Sequence, residues 1–186
     1  MTSPSIELLL DADATINLRS LGILNVLIAS DLELSFSSHV FENELSSLSR
    51  ELQPLRDERR AKVRSVLTRT PEHRVYRELL RERCVDKGEA EAIAWCRANP
   101  PAGERFFVTD DDGARTASRC DPVAISSAEC VALLVATGRL TEAACRGHLT
   151  VWDDASKQHG RPKKWRSFDE DFAGLLARTK QRLGLA

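Results

Sequence analysis

The chain is short of aromatics, which make up 5% of its 186 residues, and it has a single methionine. It lacks any apolar run approaching the ~20 residues that a membrane-spanning helix needs. It lacks a Cys-x-x-Cys pair: Cys84, Cys96, Cys120, Cys130 and Cys145 are odd in number and widely spaced. That pattern argues against a disulfide framework and against a structural zinc site, and reduced thiols in a cytoplasmic protein are the plain expectation. A net charge of −1 leaves no global field to hold nucleic acid, so any such binding must use local patches. The opening "MTSPSIELLL" has no basic residues before its apolar run, so no signal peptide is expected. Internal repeats are absent.

What is present is a soluble composition, 42% hydrophobic and 30% charged, in a chain long enough to bury a core. Residues 6–10 read as a buried strand and 14–29 as a helix buried on more than one side. "LELSFS" at 32–37 alternates as a strand does, and 38–48 returns to helical spacing with Ser38 as N-cap. The 50–87 segment holds twelve basic and seven acidic residues, and its apolar positions are spaced for one or two amphipathic helices. A helix follows around Gly88, then a strand at 105–109, a helix, a short strand at "PVAIS", and a helix stopped by Gly138. This alternation predicts an α/β fold: a three-layer α/β/α sandwich around a parallel sheet of four or five strands, with a C-terminal helical extension. Residues 1–150 are read as the domain. Residues 151–186 are read as a basic linker and a final helix at 168–184 that packs on the domain or on a partner.

Acidic residues gather where strands end or helices begin: Asp11/Asp13, Glu42/Glu44, Glu89/Glu91 and Asp110/Asp111/Asp112. In a parallel sheet those points share one edge, where ligands bind. The bland alternative is helix capping and the dipole's preference for acids in a first turn. Helical phase weakens it at two positions. Glu44 falls inside the arc of Val40, Phe41, Leu45 and Leu48, whereas Glu42 falls outside. Glu89 shares the face of Ala92, Ile93 and Cys96, whereas Glu91 points nearly the opposite way. A carboxylate on an apolar face is costly unless a cation or donor meets it, so for Glu44 a buried salt bridge to an arginine is the structural alternative. Several carboxylates at one edge repel each other, and a divalent cation resolves this. All-oxygen ligands suit Mg²⁺ or Mn²⁺.

With those residues in hand, the chain resembles a PIN-domain ribonuclease of the VapC toxin type. "LLLDAD" is similar to the family's first strand and its aspartate, and "HVFENEL" to its glutamate-before-leucine segment. "GEAEAIAWC" is similar to its third acidic motif, the most specific piece, and "FFVTDDDGARTAS" to its fourth. The resemblance covers roughly residues 5–150. It implies hydrolysis of single-stranded RNA by water activated at Mg²⁺ or Mn²⁺, with Asp11, Glu44, Glu89 and Asp111 as the acidic quartet and Asp13, Asp110 and Glu91 assisting. It also implies a toxin–antitoxin role with an antitoxin partner, and a homodimer. Thr109 is expected to orient a metal water or to bond backbone, and Arg115 to meet a phosphate or to pair with an acid. The chain is longer than small VapC toxins by the 50–87 segment and the tail. That tail, "KQHGRPKKWR", offers Lys157, Arg161, Lys163, Lys164 and Arg166 around Trp165 as an RNA contact, or else is a plain linker.

Two other readings compete. Asp-x-Asp-x-Thr at 11–15 is similar to the first motif of haloacid-dehalogenase-type phosphatases, in which Asp11 would be the nucleophile. That family follows its motif with a loop and hairpin, and it gives Glu44 and Glu89 no role. A non-catalytic PIN-like module binding RNA or protein is the other.

Overall fold

A computed structural model describes residues 5–82, 84–118, 121–154 and 161–185. The chain is α/β, with a single all-parallel five-stranded sheet flanked by helices, the α/β/α class expected from the strand–helix alternation. The strands are β1 (Ile6–Leu10), β2 (Glu33–Ser37), β3 (Ala61–Arg64), β4 (Glu104–Val108) and β5 (Val123–Ile125), in the order β3-β2-β1-β4-β5. β1 is apolar along most of its length because a central parallel strand is covered on both faces, and all five of its residues are buried. Its neighbours are β2 on one side and β4 on the other, with Leu10 level with Phe36 and with Val108. The chain therefore winds outward from β1 in both directions. The point of reversal lies between β1 and β4, where the carboxyl ends of α/β strands open a crevice.

The chain divides into two compact units, bounded as Met1–Ala14 with Asp31–Ile125 and as Thr15–Ser30 with Ser126–Ala186. This division does not coincide with a boundary at residue 150. The first unit holds the sheet with α3 (Ser49–Asp57), α4 (Pro71–Glu82), α5 (Lys87–Ala98) and α6 (Asp112–Ser118). Leu9 and Phe107 of the sheet, Leu79 of α4, Ile93 and Cys96 of α5, and Ala114 and Ala117 of α6 share one buried cluster. α1 (Ala12–Ser20) starts in this unit and continues into the second, which also holds α2 (Ile23–Ala29), α7 (Ser127–Ala136), α8 (Glu142–Leu149) and α9 (Phe168–Arg182). α9 buries Phe168, Phe172 and Leu175, and within its unit it packs on α7.

Three local expectations change. The helix read across 14–29 is two helices, because Gly22 at φ 72 takes a left-handed conformation that ends the first. Val63, whose spacing predicts a helix, lies in a strand, β3. Ser38 is not the cap of the following turn: Ser37 Oγ accepts the Val40 N–H, while Ser38 Oγ donates to Glu91. In the tail, Trp165 is buried, donates Nε1–H to Asp153 at 3.0 Å and meets Trp152 edge-on, so it offers no free face to a base. Arg166 is ion-paired with Glu170 and Asp171. Lys163 and Lys164 are exposed in the second unit. Lys157 and Cys120 lie outside the described residues.

Candidate active site

β1 ends at Leu10 and β4 at Val108, side by side, so Asp11 and Thr109 emerge together at the reversal point. The Asp11 N–H donates to the Val108 carbonyl and continues the ladder by one residue. Thr109 Oγ1 donates to Asp11 Oδ2 at 3.2 Å and accepts the Asp111 N–H at 3.2 Å. The threonine thus does both jobs open to it: it bonds backbone and it fixes an acid. Asp111 Oδ1 accepts the Ala114 N–H at 2.8 Å and caps α6.

An open cleft of about 350 Å³ lies over these strand ends, lined by Asp11, Asp13, Glu44, Asp86, Glu89 and Asp111, with Cys84 and Val85 in its wall. All belong to the first unit. Four members of the expected set, Asp11, Glu44, Glu89 and Asp111, are therefore brought together, with Asp13 at the rim. Glu44 ends a single π-helical turn, Val40–Glu44, a distortion often found at functional sites. Its partner is not an arginine but His39, whose Nε2 is 3.5 Å away. Asp86, which is not among the acids expected at the site, caps α5. Its Oδ1 accepts the Glu89 N–H, and Glu89 Oε2 accepts the Asp86 N–H, both at 2.9 Å. The spacing of Asp86 and Glu89, an acid three residues before a glutamate at a helix start, is a capping-box pattern that could have found it.

Three expected residues stand elsewhere. Glu91 is buried, but its carboxylate accepts from Ser38 Oγ, the His39 N–H and the Val66 N–H, tying α5 to the segments after β2 and β3. Asp110 and Arg115 are half-buried and are not among the lining residues.

Two glycines allow the walls to close up. A Cβ on Gly88 would sit 2.6 Å from Val40 Cγ2 and 2.8 Å from Glu44 Oε1. One on Gly113 would sit 2.2 Å from the Cys84 carbonyl oxygen and 2.8 Å from Asp111 Oδ1.

The electrostatics follow from crowding like charges. Burial, then the charges of Glu89, Asp86 and Glu44, push the Asp11 carboxyl up to about 8. Burial, with Asp86, Asp111 and Glu44 nearby, pushes Glu89 up to about 7. Glu44 is raised by burial and by Asp86. The other end of the same strand gives the contrast. Burial would also raise Glu7, but hydrogen bonds from Ser35, Arg64 and Arg105 outweigh it and hold Glu7 below its ordinary value. Both guanidiniums lie 2.6 Å from its carboxylate. No basic side chain is among the described residues that line the cleft.

Among the described residues, no three Asp, Glu, His or Cys side chains converge on one metal position. The donor set nonetheless suits Mg²⁺ or Mn²⁺: it is all oxygen, and Mg²⁺ is commonly held by one or two carboxylates with water completing its shell. No helix among the described residues is long and apolar enough to cross a membrane. No family model, curated protein or solved structure matches the chain.

Proposed function

We propose that this protein is a metal-dependent endoribonuclease of the PIN-domain kind, which cleaves phosphodiester bonds of single-stranded RNA in the cytoplasm. The observation that carries this reading is the meeting of Asp11, Glu44, Glu89 and Asp111, from four separate stretches of chain, in one cleft where crowding and burial raise the carboxyls of Asp11, Glu89 and Glu44. Asp11, Glu44, Glu89 and Asp111 are the donors available to the ion, which would take one or two of these carboxylates directly and reach the others through its bound water. Bound Mg²⁺ or Mn²⁺ supplies an activated water and neutralises charge on the phosphate. Asp11 is oriented by Thr109 and Asp111 by its cap on α6, so two oxygen donors are fixed before anything binds. Asp13, exposed at the rim, adds negative charge that favours the ion. The role of toxin in a type II toxin–antitoxin pair, with an antitoxin partner and a homodimer, extends this reading by family analogy.

The phosphatase reading is weaker. α1 begins at Ala12, directly after Asp11, and leaves no room for the loop and hairpin of that family. The test is incubation with single-stranded and structured RNA, with Mn²⁺ or with a chelator. Cleavage of the single strand with Mn²⁺ is expected, lost with chelator and in Asp11→Asn and Glu44→Gln. Cleavage that survives both substitutions sinks the site. Turnover of a generic phosphomonoester that is lost in Asp11→Asn but indifferent to Glu44→Gln favours the phosphatase. RNA binding without cleavage under any metal favours a non-catalytic module.

A further inference from the structure

The acidic cleft repels a phosphate backbone, so an enzyme acting on RNA there needs a grip elsewhere. The basic tail is a poor one, with Trp165 buried and Arg166 paired. A second open groove in the first unit, of about 340 Å³, is lined by Arg69, His73, Arg74, Arg77 and Arg81, with Glu78 the acid among them. The positions on α4 follow the three- and four-residue spacing of one helix face, so the guanidiniums of Arg74, Arg77 and Arg81 recur every ~5 Å along the axis.

All four arginines are exposed. Among the described residues, no side-chain hydrogen bond, ion pair or ring contact engages any of the four. Several other arginines of this chain are engaged. Arg64 and Arg105 hold Glu7 and flank the Trp95 ring at 4.4 and 4.5 Å, Arg97 binds carbonyls of Ala117 and Ser118, and Arg146 pairs with Asp169. A row of unengaged guanidinium forks is suited to phosphate oxygens. The His73 ring, which lines the groove, is held by stacking on Tyr76 behind it, with ring centres 6.2 Å apart. Basic groups beside an aromatic platform are the usual make-up of a single-strand groove. The groove leads toward the cleft along the chain: α4 ends at Glu82, and Cys84, Val85 and Asp86 form part of the cleft wall.

We propose that the α4 groove binds the phosphate backbone of single-stranded RNA through Arg69, Arg74, Arg77 and Arg81, and directs the strand to the acidic cleft. The second half of this statement rests on the nuclease reading; the first half does not. The test is fluorescence anisotropy with a labelled oligouridine of about 15 nucleotides, in EDTA so that no strand is cut, across a range of salt. Wild type is compared with a triple Arg74→Gln, Arg77→Gln, Arg81→Gln variant and with the matching triple Arg→Lys variant, each checked for an unchanged melting temperature. Loss of about tenfold or more in affinity, with the log–log salt slope falling by about 2 in the glutamine variant and held in the lysine variant, is the expected result, at ~0.7 per phosphate contact. Unchanged affinity and slope in the glutamine variant overturn the proposal. So does a variant that keeps its RNA affinity but loses binding to polyglutamate, which would make the groove a dock for an acidic protein segment. If RNA binding falls as expected while the wild type cuts no RNA with Mn²⁺, the groove stands and the nuclease reading fails.

Discussion

Glu89 and Glu91 sit two residues apart on one helix, and both are buried, yet they do different work. Glu89 closes the capping box with Asp86 and faces the cleft, while Glu91 receives three donors from the ends of β2 and β3. Glutamine closes a capping box nearly as well as glutamate. Glu89→Gln should therefore leave the melting temperature close to wild type and abolish metal-dependent cleavage. Glu91→Gln keeps one carbonyl acceptor and turns an amide toward donors. It should cost about 2–4 kcal/mol in urea unfolding, since hydrogen bonds to a charged group are worth about 1.5–3 kcal/mol each. Metal affinity, read by calorimetry with Mn²⁺, should change little in Glu91→Gln. The reverse assignment of stability and metal loss would show that the wrong glutamate had been placed in the site. Glu42 is exposed and Glu44 half-buried, although the segment is a π-helical turn followed by a 3-10 turn and not the α-helix on which the phase argument rests. Helical phase failed for Glu91 because a phase argument assumes one wet face. The first two turns of α5 are buried all round, from Gly88 to Ala94.

At the scale of elements, the central strands were legible because β1 and β4 carry three or more adjacent apolar residues and β2 alternates, each bounded by turns or helices. β3 was not. It is four residues long, and its outward Lys62 and Arg64 pair with Glu33 and Glu7. Its Val63 stands three residues before Val66, which mimics a helical period inside a charged stretch. The junctions between elements were also hidden, since a glycine in sequence does not say what crowds it. α5 approaches the Val40–Glu44 turn at Gly88, and α6 approaches the Cys84 carbonyl at Gly113. Alanine at either position overpacks and should cost on the order of 1–3 kcal/mol by chemical denaturation. Gly113→Ala belongs at the upper end, because its neighbour at 2.2 Å is backbone and cannot rotate away. Gly88→Ala should cost less but displace Glu44, so cleavage falls by more than the stability loss explains. Equal tolerance at both positions, seen as unchanged melting and unchanged activity, would mean that the walls do not meet as described.

Across the whole molecule the net charge of −1 conceals a separation of charge: carboxylates at the strand ends and unengaged arginines on α4. The separation has a thermodynamic consequence. Asp11 at about 8 and Glu89 at about 7 both lie above their ordinary values of 3.8 and 4.5. In that window the folded chain binds more protons than the unfolded chain, so stability falls as pH rises. The contribution is full below about pH 4 and is lost as pH climbs through 7 and 8. A divalent cation needs both groups ionised, so its binding releases protons and strengthens over the same window. Metal that binds only the folded state raises stability by mass action. Thermal melts in EDTA should therefore show a decline from pH 6 to pH 8.5, and saturating Mn²⁺ should restore more at pH 8.5 than at pH 6. Asp11→Asn removes the group raised further above its ordinary value, so its EDTA melting curve should depend less on pH and its Mn²⁺ shift should shrink. A wild-type Mn²⁺ shift that is equal at both pH values, or one that persists in full in Asp11→Asn, would place the bound ion somewhere other than the cleft between β1 and β4.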